Sequence, residues 1–326
     1  MLSRVANTLF WLGRYLERAE NYSRFIDVNF NLCIDLPPGM KEQWKPLISA
    51  TGDHDAYVSK LGDDFGRHNA IYFLTFDETN PNAIISTIAQ ARENARMVRE
   101  SIPKESWESL NELHYYVQDA KKKKVWKNED PHSFFEFVKN QIHRFNGIAS
   151  SNAPRTQAWY FTKIGKQLER ADKTSRILDV KYHYLLPSVD EVGSPLDFLH
   201  WTALLKSVSA FNAYKHLYQK IDPANIVEYL TLNRYFPRSI FFCLMEVEDA
   251  LHEISGSKRG YSNPPEKAIG AIRSKLEYTD VNDILQGGLH EFLDEVQIGL
   301  NGISTTMHDQ FFRIQPNFTP QFQNQE

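Results

Sequence analysis

The apolar positions of this chain follow a helical period along most of its length. Between residues 9 and 28, Trp11, Leu12, Tyr15, Leu16, Ala19, Tyr22 and Ile26 fall on one broad face when the segment is wound at about 100° per residue. Long strand-like alternation is absent. Helix starts carry a repeated mark. Proline suits the first helical position because it has no N–H to leave unsatisfied and its φ is already helical. A short oxygen-bearing residue before it can cap the free N–H groups. That pair occurs five times, at Asn80-Pro81, Asp130-Pro131, Ser194-Pro195, Asp222-Pro223 and Asn263-Pro264. Asp197 and Glu266 add an acid at the third helical position, as in a capping box. The pattern predicts an all-α fold of about twelve helical segments with essentially no sheet.

The helical pattern is written twice. Residues 12–28 read LGRYLERAENYSRFIDV and residues 164–180 read IGKQLERADKTSRILDV. Their common core is G-x-x-L-E-R-A-[ED]-x-x-S-R-x-[IL]-D-V. Further matches follow: Trp44 with Trp201, Ala56-Tyr57 with Ala213-Tyr214, Leu74-Thr75 with Leu230-Thr231, Pro81 to Ile84 with Pro237 to Ile240, and Asn146-Gly147-Ile148 with Asn301-Gly302-Ile303. The offset drifts only from 152 to 157, as expected of helices joined by loops of slightly different length. The expected architecture is a helical bundle of two tandem copies related by a pseudo-twofold, over 1–152 and 153–314, with a polar tail over 315–326. The junction is expected near Ser150 to Pro154.

Beside the apolar face of the repeated helix runs a polar stripe. Gly13, Glu17, Glu20, Arg24 and Asp27 are spaced 4, 3, 4 and 3, which keeps them within about 80° of one another. Gly165, Glu169, Asp172, Arg176 and Asp179 repeat the arrangement. Acid before arginine at i,i+4 is the favoured ion-pair order, and one guanidinium can hold two carboxylates. Arg24 is therefore expected to be buried between Glu20 and Asp27, and Arg176 between Asp172 and Asp179. The glycines would let another backbone approach closely. Two readings follow: an ion-pair network orienting the helix against its neighbours, or two stripes converging across a pseudo-twofold to line a ligand cleft. Glu17 has no cation at i+4 in its own helix.

A second polar cluster, Arg92, Glu93, Arg96 and Arg99, follows the apolar run Ile84 to Ile88. Its arginines could hold phosphate or carboxylate, or pair with Glu17, Glu20 and Asp27.

Composition narrows the functional classes. Apolar residues are 42% and charged residues 24%, enough for a sizeable core, and the net charge of −4 argues against a general nucleic-acid or membrane binder. The run Lys121 to Lys124 with Lys127 reads as a solvated linker. The two cysteines, Cys33 and Cys243, form no CxxC pair and suit free thiols in a reducing cytoplasm. Neither a signal peptide nor a stretch of about 18 apolar residues is present, so no transmembrane helix is expected. Asp249-x-x-His252 and His290-x-x-x-Asp294 come nearest to bundle metal patterns. Glu93 and Arg96 stand where the second copy has Asp249 and His252, so that pattern is not duplicated and no metal or other cofactor is expected. No nucleotide loop or serine elbow occurs.

The opening LSRVANTLFWLGRYLERAENYSRFIDV, the segment ARENARMVRE at 91–100 and FPRSIFFCL at 236–244 resemble the bacterial alpha-E domain family. The resemblance implies an all-α fold of unestablished activity. It also implies genes beside those of a circularly permuted ATP-grasp protein and a transglutaminase-like protein, which would be the partners. The second copy departs from the first in having Lys166 and Gln167 where the first has Arg14 and Tyr15, so a site built on Arg14 would not be duplicated. Two functions fit. One is a non-catalytic, accessory helical protein that binds a peptide or the partner ligase. The other is an enzyme with a Glu/Arg-lined site in the helical core, in which one acid serves as general base and arginines hold an acidic or phosphorylated intermediate.

Overall fold

The computed structural model describes residues 1–36, 42–127, 130–184, 193–258 and 260–313, with side chains only to residue 180 in the third stretch. Among the described residues there are fifteen α-helices and no strand, somewhat more helices than the sequence pattern predicts. They are α1 (Ser3–Ile34), α2 (Lys45–Thr51), α3 (His54–Leu61), α4 (Arg67–Thr75), α5 (Ile84–Met97), α6 (Lys104–Lys122), α7 (His132–Asn152), α8 (Gln157–Tyr184), α9 (Pro195–Ser207), α10 (Phe211–Tyr218), α11 (Pro223–Thr231), α12 (Ile240–Ser255), α13 (Pro264–Glu277), α14 (Val281–Gly287) and α15 (Leu289–Met307). The extra helices are short pieces that the long-window period does not separate. The segment 315–326, expected to be a polar tail, lies outside the described residues.

Three of the five proline starts are true caps. Ser194, Asp222 and Asn263 accept the N–H of Asp197 (3.2 Å), Asn225 (2.9 Å) and Glu266 (3.0 Å), each with proline at the first turn of its helix. The other two are turns. Asn80 accepts the N–H of Asn82 at 2.9 Å and donates to the Phe73 carbonyl, and α5 begins only at Ile84. Asp130 accepts from the N–H of His132, the first residue of α7, at 2.8 Å. The lysine run is less of a linker than expected: Lys121 and Lys122 close the last turn of α6, where cations suit the helix dipole, and Lys121 pairs with Glu78 at 2.9 Å.

Helices α1 and α8 form the axis of the molecule. A Cβ placed on Gly13 would overlap the carbonyl oxygen of Thr162 and lie 2.9 Å from the Lys166 nitrogen. One placed on Gly165 would overlap the Phe10 carbonyl and lie 3.3 Å from the Arg14 nitrogen. Each glycine thus admits the other helix's backbone, and only a residue without a side chain fits either position. The contacts advance together along both helices, Phe10 to Gly165, Gly13 to Lys166 and Glu17 to Arg170, so α1 and α8 run parallel and in register. Around α1 pack α5, α7 and α9; around α8 pack α12, α15 and α2. Buried apolar side chains from both halves form one continuous core. Being enclosed on so many sides, α1 and α8 bury polar residues as well as apolar ones. Those groups must find partners inside the protein.

Candidate functional site: the paired Glu-Arg motifs

Every stripe residue of α1 is buried: Glu17 and Glu20 are 1% exposed, Asp27 4% and Arg24 8%. In α8, Glu169 is fully buried and Asp172 nearly so, while Arg176 is partly open. The pairing, however, runs mainly between the helices. Arg170 grips Glu17 with two parallel bonds, Nε to Oε1 at 2.7 Å and Nη2 to Oε2 at 2.9 Å. Arg18 grips Glu169 in the same way, at 2.6 and 3.0 Å. Each Glu-Arg dipeptide therefore satisfies the other, and the two bidentate pairs lie about a turn beyond the glycine contact. Arg14 adds a bond to Glu169 at 2.9 Å and another to Ser304 at 3.1 Å.

A second layer of cations surrounds this pair. Arg238, from the turn before α12, donates to Glu17 (3.0 Å), Asn21 (3.1 Å) and Glu20 (2.8 Å). Arg24 pairs with Glu20 and reaches Ser209, between α9 and α10. Lys173 lies 2.9 Å from Asp172 and 3.5 Å from Glu169, and Arg176 bonds Asp172 at 3.0 Å. His143 of α7 touches Glu20 at 3.1 Å.

Three expectations need correction. Asp27 and Asp179 do not pair with Arg24 and Arg176. Asp27 binds His132 (2.7 Å) and Lys139 (2.6 Å) of α7, and Asp179 binds His290 (2.8 Å) at the start of α15. At i+3 the acid points past the guanidinium, towards the neighbouring helix. Nor does the α5 cluster reach the stripe. Arg92 bonds Asn111 (2.7 Å) and Glu93 (3.0 Å), Arg96 bonds Glu93 (2.7 Å), and Arg92 and Arg99 lie over Trp107. Arg92, Glu93 and Arg96 are thus a separate surface cluster. Trp11 and Tyr15, expected in the core, are only partly buried; they line a cleft of about 570 Å³ with Arg18, Asn82 and Gln90.

The electrostatics follow from this geometry. Burial pushes the Glu17 carboxyl up, but Arg170 and Arg238 outweigh it and hold it well below the usual carboxylate range. Glu169 is likewise raised by burial and lowered further by Arg18, Lys173 and Arg14. Asp172 is depressed by Lys173 and Arg176 against the cost of burial. Burial and the nearby Arg238 push the Arg24 guanidinium down, though it remains charged at neutral pH. His143 falls to about 4 through burial and the adjacent Arg24 and Arg238. His132 and His290 rise through their bonds to Asp27 and Asp179. The Cys243 thiol is pushed up to about 12 by burial, which makes it a poor nucleophile. Among the described residues, no group of three or more His, Cys, Asp or Glu is placed to hold a metal ion, and no helix is long and apolar enough to cross a membrane.

Glu-Arg dipeptides occur at only two places in the sequence, 17–18 and 169–170, and these are the residues that interlock. A family model described as a predicted alpha-helical domain with a conserved ER motif matches residues 1–312. The chain belongs to the Alpha-E family. Uncharacterized proteins of Mycobacterium bovis and Mycobacterium tuberculosis are each 22% identical over 325 residues, covering 91% of this chain and 35% of their own length. A further uncharacterized Mycobacterium tuberculosis protein is 21% identical with the same coverage. The chain thus spans about a third of the length of the curated relatives it matches. No solved structure matches it. For this Alpha-E chain the ER motif has a physical reading: it is the reciprocal clamp between α1 and α8.

Proposed function

We propose that this Alpha-E chain is a non-catalytic, accessory helical protein of an ATP-grasp peptide or amide ligase system, binding a peptide or the ligase itself. One observation carries the reading. The central carboxylates Glu17, Glu169 and Asp172 are all engaged by cations and held below their usual range, which leaves them weak bases at neutral pH. A clamp of this kind fixes the relative position of helices rather than moving protons. In the mycobacterial relatives the matched region is about a third of a longer chain, which suits a module working alongside other polypeptide. The circularly permuted ATP-grasp protein and the transglutaminase-like protein expected from the family's gene context are the partners this reading names, in the cytoplasm.

We also infer that the two halves are duplicated units related by an approximate twofold. The reciprocal glycine contacts, the exchanged Glu-Arg pairs and the matching Asp27–His132 and Asp179–His290 bonds support it. Co-expression with the ATP-grasp protein, followed by size-exclusion chromatography with and without ATP, tests the accessory role. Co-elution is the expected result; separate elution under every nucleotide condition refutes it.

The second reading, an enzyme with a Glu/Arg-lined site in the helical core, has one cleft to draw on, of about 490 Å³, which brings Arg176 and Asp179 of the second stripe together with His290, Ser49 and Gln297 but has no glutamate in its lining. It requires that His290→Gln abolish the cellular output of the system while leaving the complex intact. Loss of the complex with the output preserved in trans would point back to the accessory role.

A further inference from the structure

A different cleft, of about 120 Å³, opens where α8 meets α7 and the segment leading into α6. Its walls are mostly apolar: Ile102, Pro103, Phe145, Ala149, Ala158 and Trp159. Two cations line it. Lys163 is already paired with Glu246 at 2.8 Å. Lys166 is not: among the described residues its ammonium has neither a hydrogen bond nor an ion pair. The acid that attracts it, Glu17, is hydrogen-bonded to Arg170 and Arg238 instead, and burial and Arg170 outweigh that attraction. Lys166 occupies the position at which the first half has Arg14, and Arg14 is satisfied by Glu169 and Ser304.

A half-buried ammonium without a counter-ion is unfavourable, because the charge is partly removed from water with nothing to replace the water. Burial and the neighbouring Arg170 accordingly pull Lys166 down to about 8. Protein cores usually avoid this arrangement, and binding sites use it. We propose that this cleft binds a small carboxylic acid with an aromatic or branched aliphatic body, its carboxylate on Lys166 Nζ and its body against Trp159, Phe145 and Ile102. Of the two lining lysines only Lys166 lacks an ion pair, which matches a monoanion; Arg155, stacked over Trp159 at 4.2 Å at the rim, is held by the carbonyls of Ala153 and Ser150. A phosphate dianion would need a second cation, and Lys163 is engaged elsewhere. The inference goes beyond the accessory role and does not depend on it, since binding is measured on this chain alone.

The test is calorimetric titration of the full chain with 3-phenylpropionate, with 3-phenylpropionamide as the neutral twin and phenyl phosphate as the dianionic one. The expected result is a carboxylate bound at least about ten-fold more tightly than the amide, a difference of about 1.4 kcal/mol. Lys166→Met should erase that preference, and Lys166→Arg should keep most of it. Ala149→Phe, which fills the cleft without touching the lysine, should abolish binding of both acid and amide. Because Lys166 has no partner in the free protein, Lys166→Met should leave the ligand-free unfolding midpoint unchanged or raised. Equal binding of acid and amide, no binding of either, tighter binding of phenyl phosphate, or binding unaffected by Ala149→Phe each overturns the proposal. So does a Lys166→Met protein that retains the preference, or one whose midpoint falls sharply.

Discussion

Replacing glycine by alanine inside a helix normally stabilises a protein by about 0.5–1 kcal/mol, because glycine loses more backbone freedom on folding. At Gly13 the sign should reverse. The added methyl would overlap the Thr162 carbonyl oxygen and sit 2.9 Å from the Lys166 nitrogen. Both are backbone atoms of a helix and cannot swing aside. Relief requires α1 and α8 to part by on the order of 1 Å, an overpacking strain that costs about 1–3 kcal/mol. One turn further on, Arg170 holds Glu17 at 2.7 and 2.9 Å, so the same displacement stretches that buried pair towards the limit of hydrogen bonding. The summed loss should be about 2–4 kcal/mol. Gly147→Ala in α7 and Gly302→Ala in α15 are the controls, since a Cβ at either meets nothing within 4 Å. They should be neutral or stabilising by up to about 1 kcal/mol. Gly13→Ala with Gly165→Ala should cost less than the sum of the singles, because one displacement relieves both overlaps. Urea unfolding followed by far-UV circular dichroism, with unchanged denaturant slopes, gives all five values. A Gly13→Ala protein as stable as the parent, or strictly additive glycine variants, would refute the close-packed reading of the α1–α8 contact.

Further outcomes follow from the charges. Glu17→Gln keeps the shape but strands Arg170 and leaves Arg238 with Glu20 as its one acid, and should lower stability by about 3–5 kcal/mol in the same assay, whereas Arg96→Ala, at the surface, should change it by about 1 kcal/mol or less. Glu17, Glu169 and Asp172 have folded pKa values below their unfolded ones, so their contribution is present above about pH 4.5 and lost as the pH falls below it; the urea midpoint should drop between pH 5 and 3, by less in Glu17→Gln, where Glu169 and Asp172 still titrate. Proton titration by NMR should place His132 and His290 above 6.5 and His143 near 4, so the two aspartate-bound rings contribute stability below 6.5 that fades as the pH rises through their raised values. Cys243 should resist thiol reagents in the native protein and react at once on unfolding, an outcome read by absorbance with a disulfide reagent.

The helical class, three of the five proline starts and the burial of the α1 stripe were legible because each depends on local spacing, whereas Arg176 and Asp179 of the second stripe are partly open. The partners of the stripe were not. Glu17 and Arg18 are adjacent, so one helix points them about 100° apart and they cannot pair with each other. Their appearance at 169–170 as well was the available signal: two dipeptides that cannot satisfy themselves can satisfy each other if their helices run side by side. Arg238 was hidden more deeply, since it stands where the first half has Asn82 and no local pattern marks it as a buried cation. His132 and His290 open α7 and α15 over a hundred residues from their aspartates, a distance that only the packing of helices closes.

Neither half of this chain holds the bidentate arginine for its own motif's glutamate. Glu17 looks to Arg170, and Glu169 looks to Arg18. A fragment ending at Asn152 would leave an acid, an arginine and a backbone-wide groove facing water. Its cheapest remedy would be a second copy of itself, docked through the same surface. The short stretch between α7 and α8 joins the two sides of this exchange, and a covalent link of that kind favours pairing within one molecule over pairing between two. Severing it should yield pieces that recombine rather than pieces that fold alone.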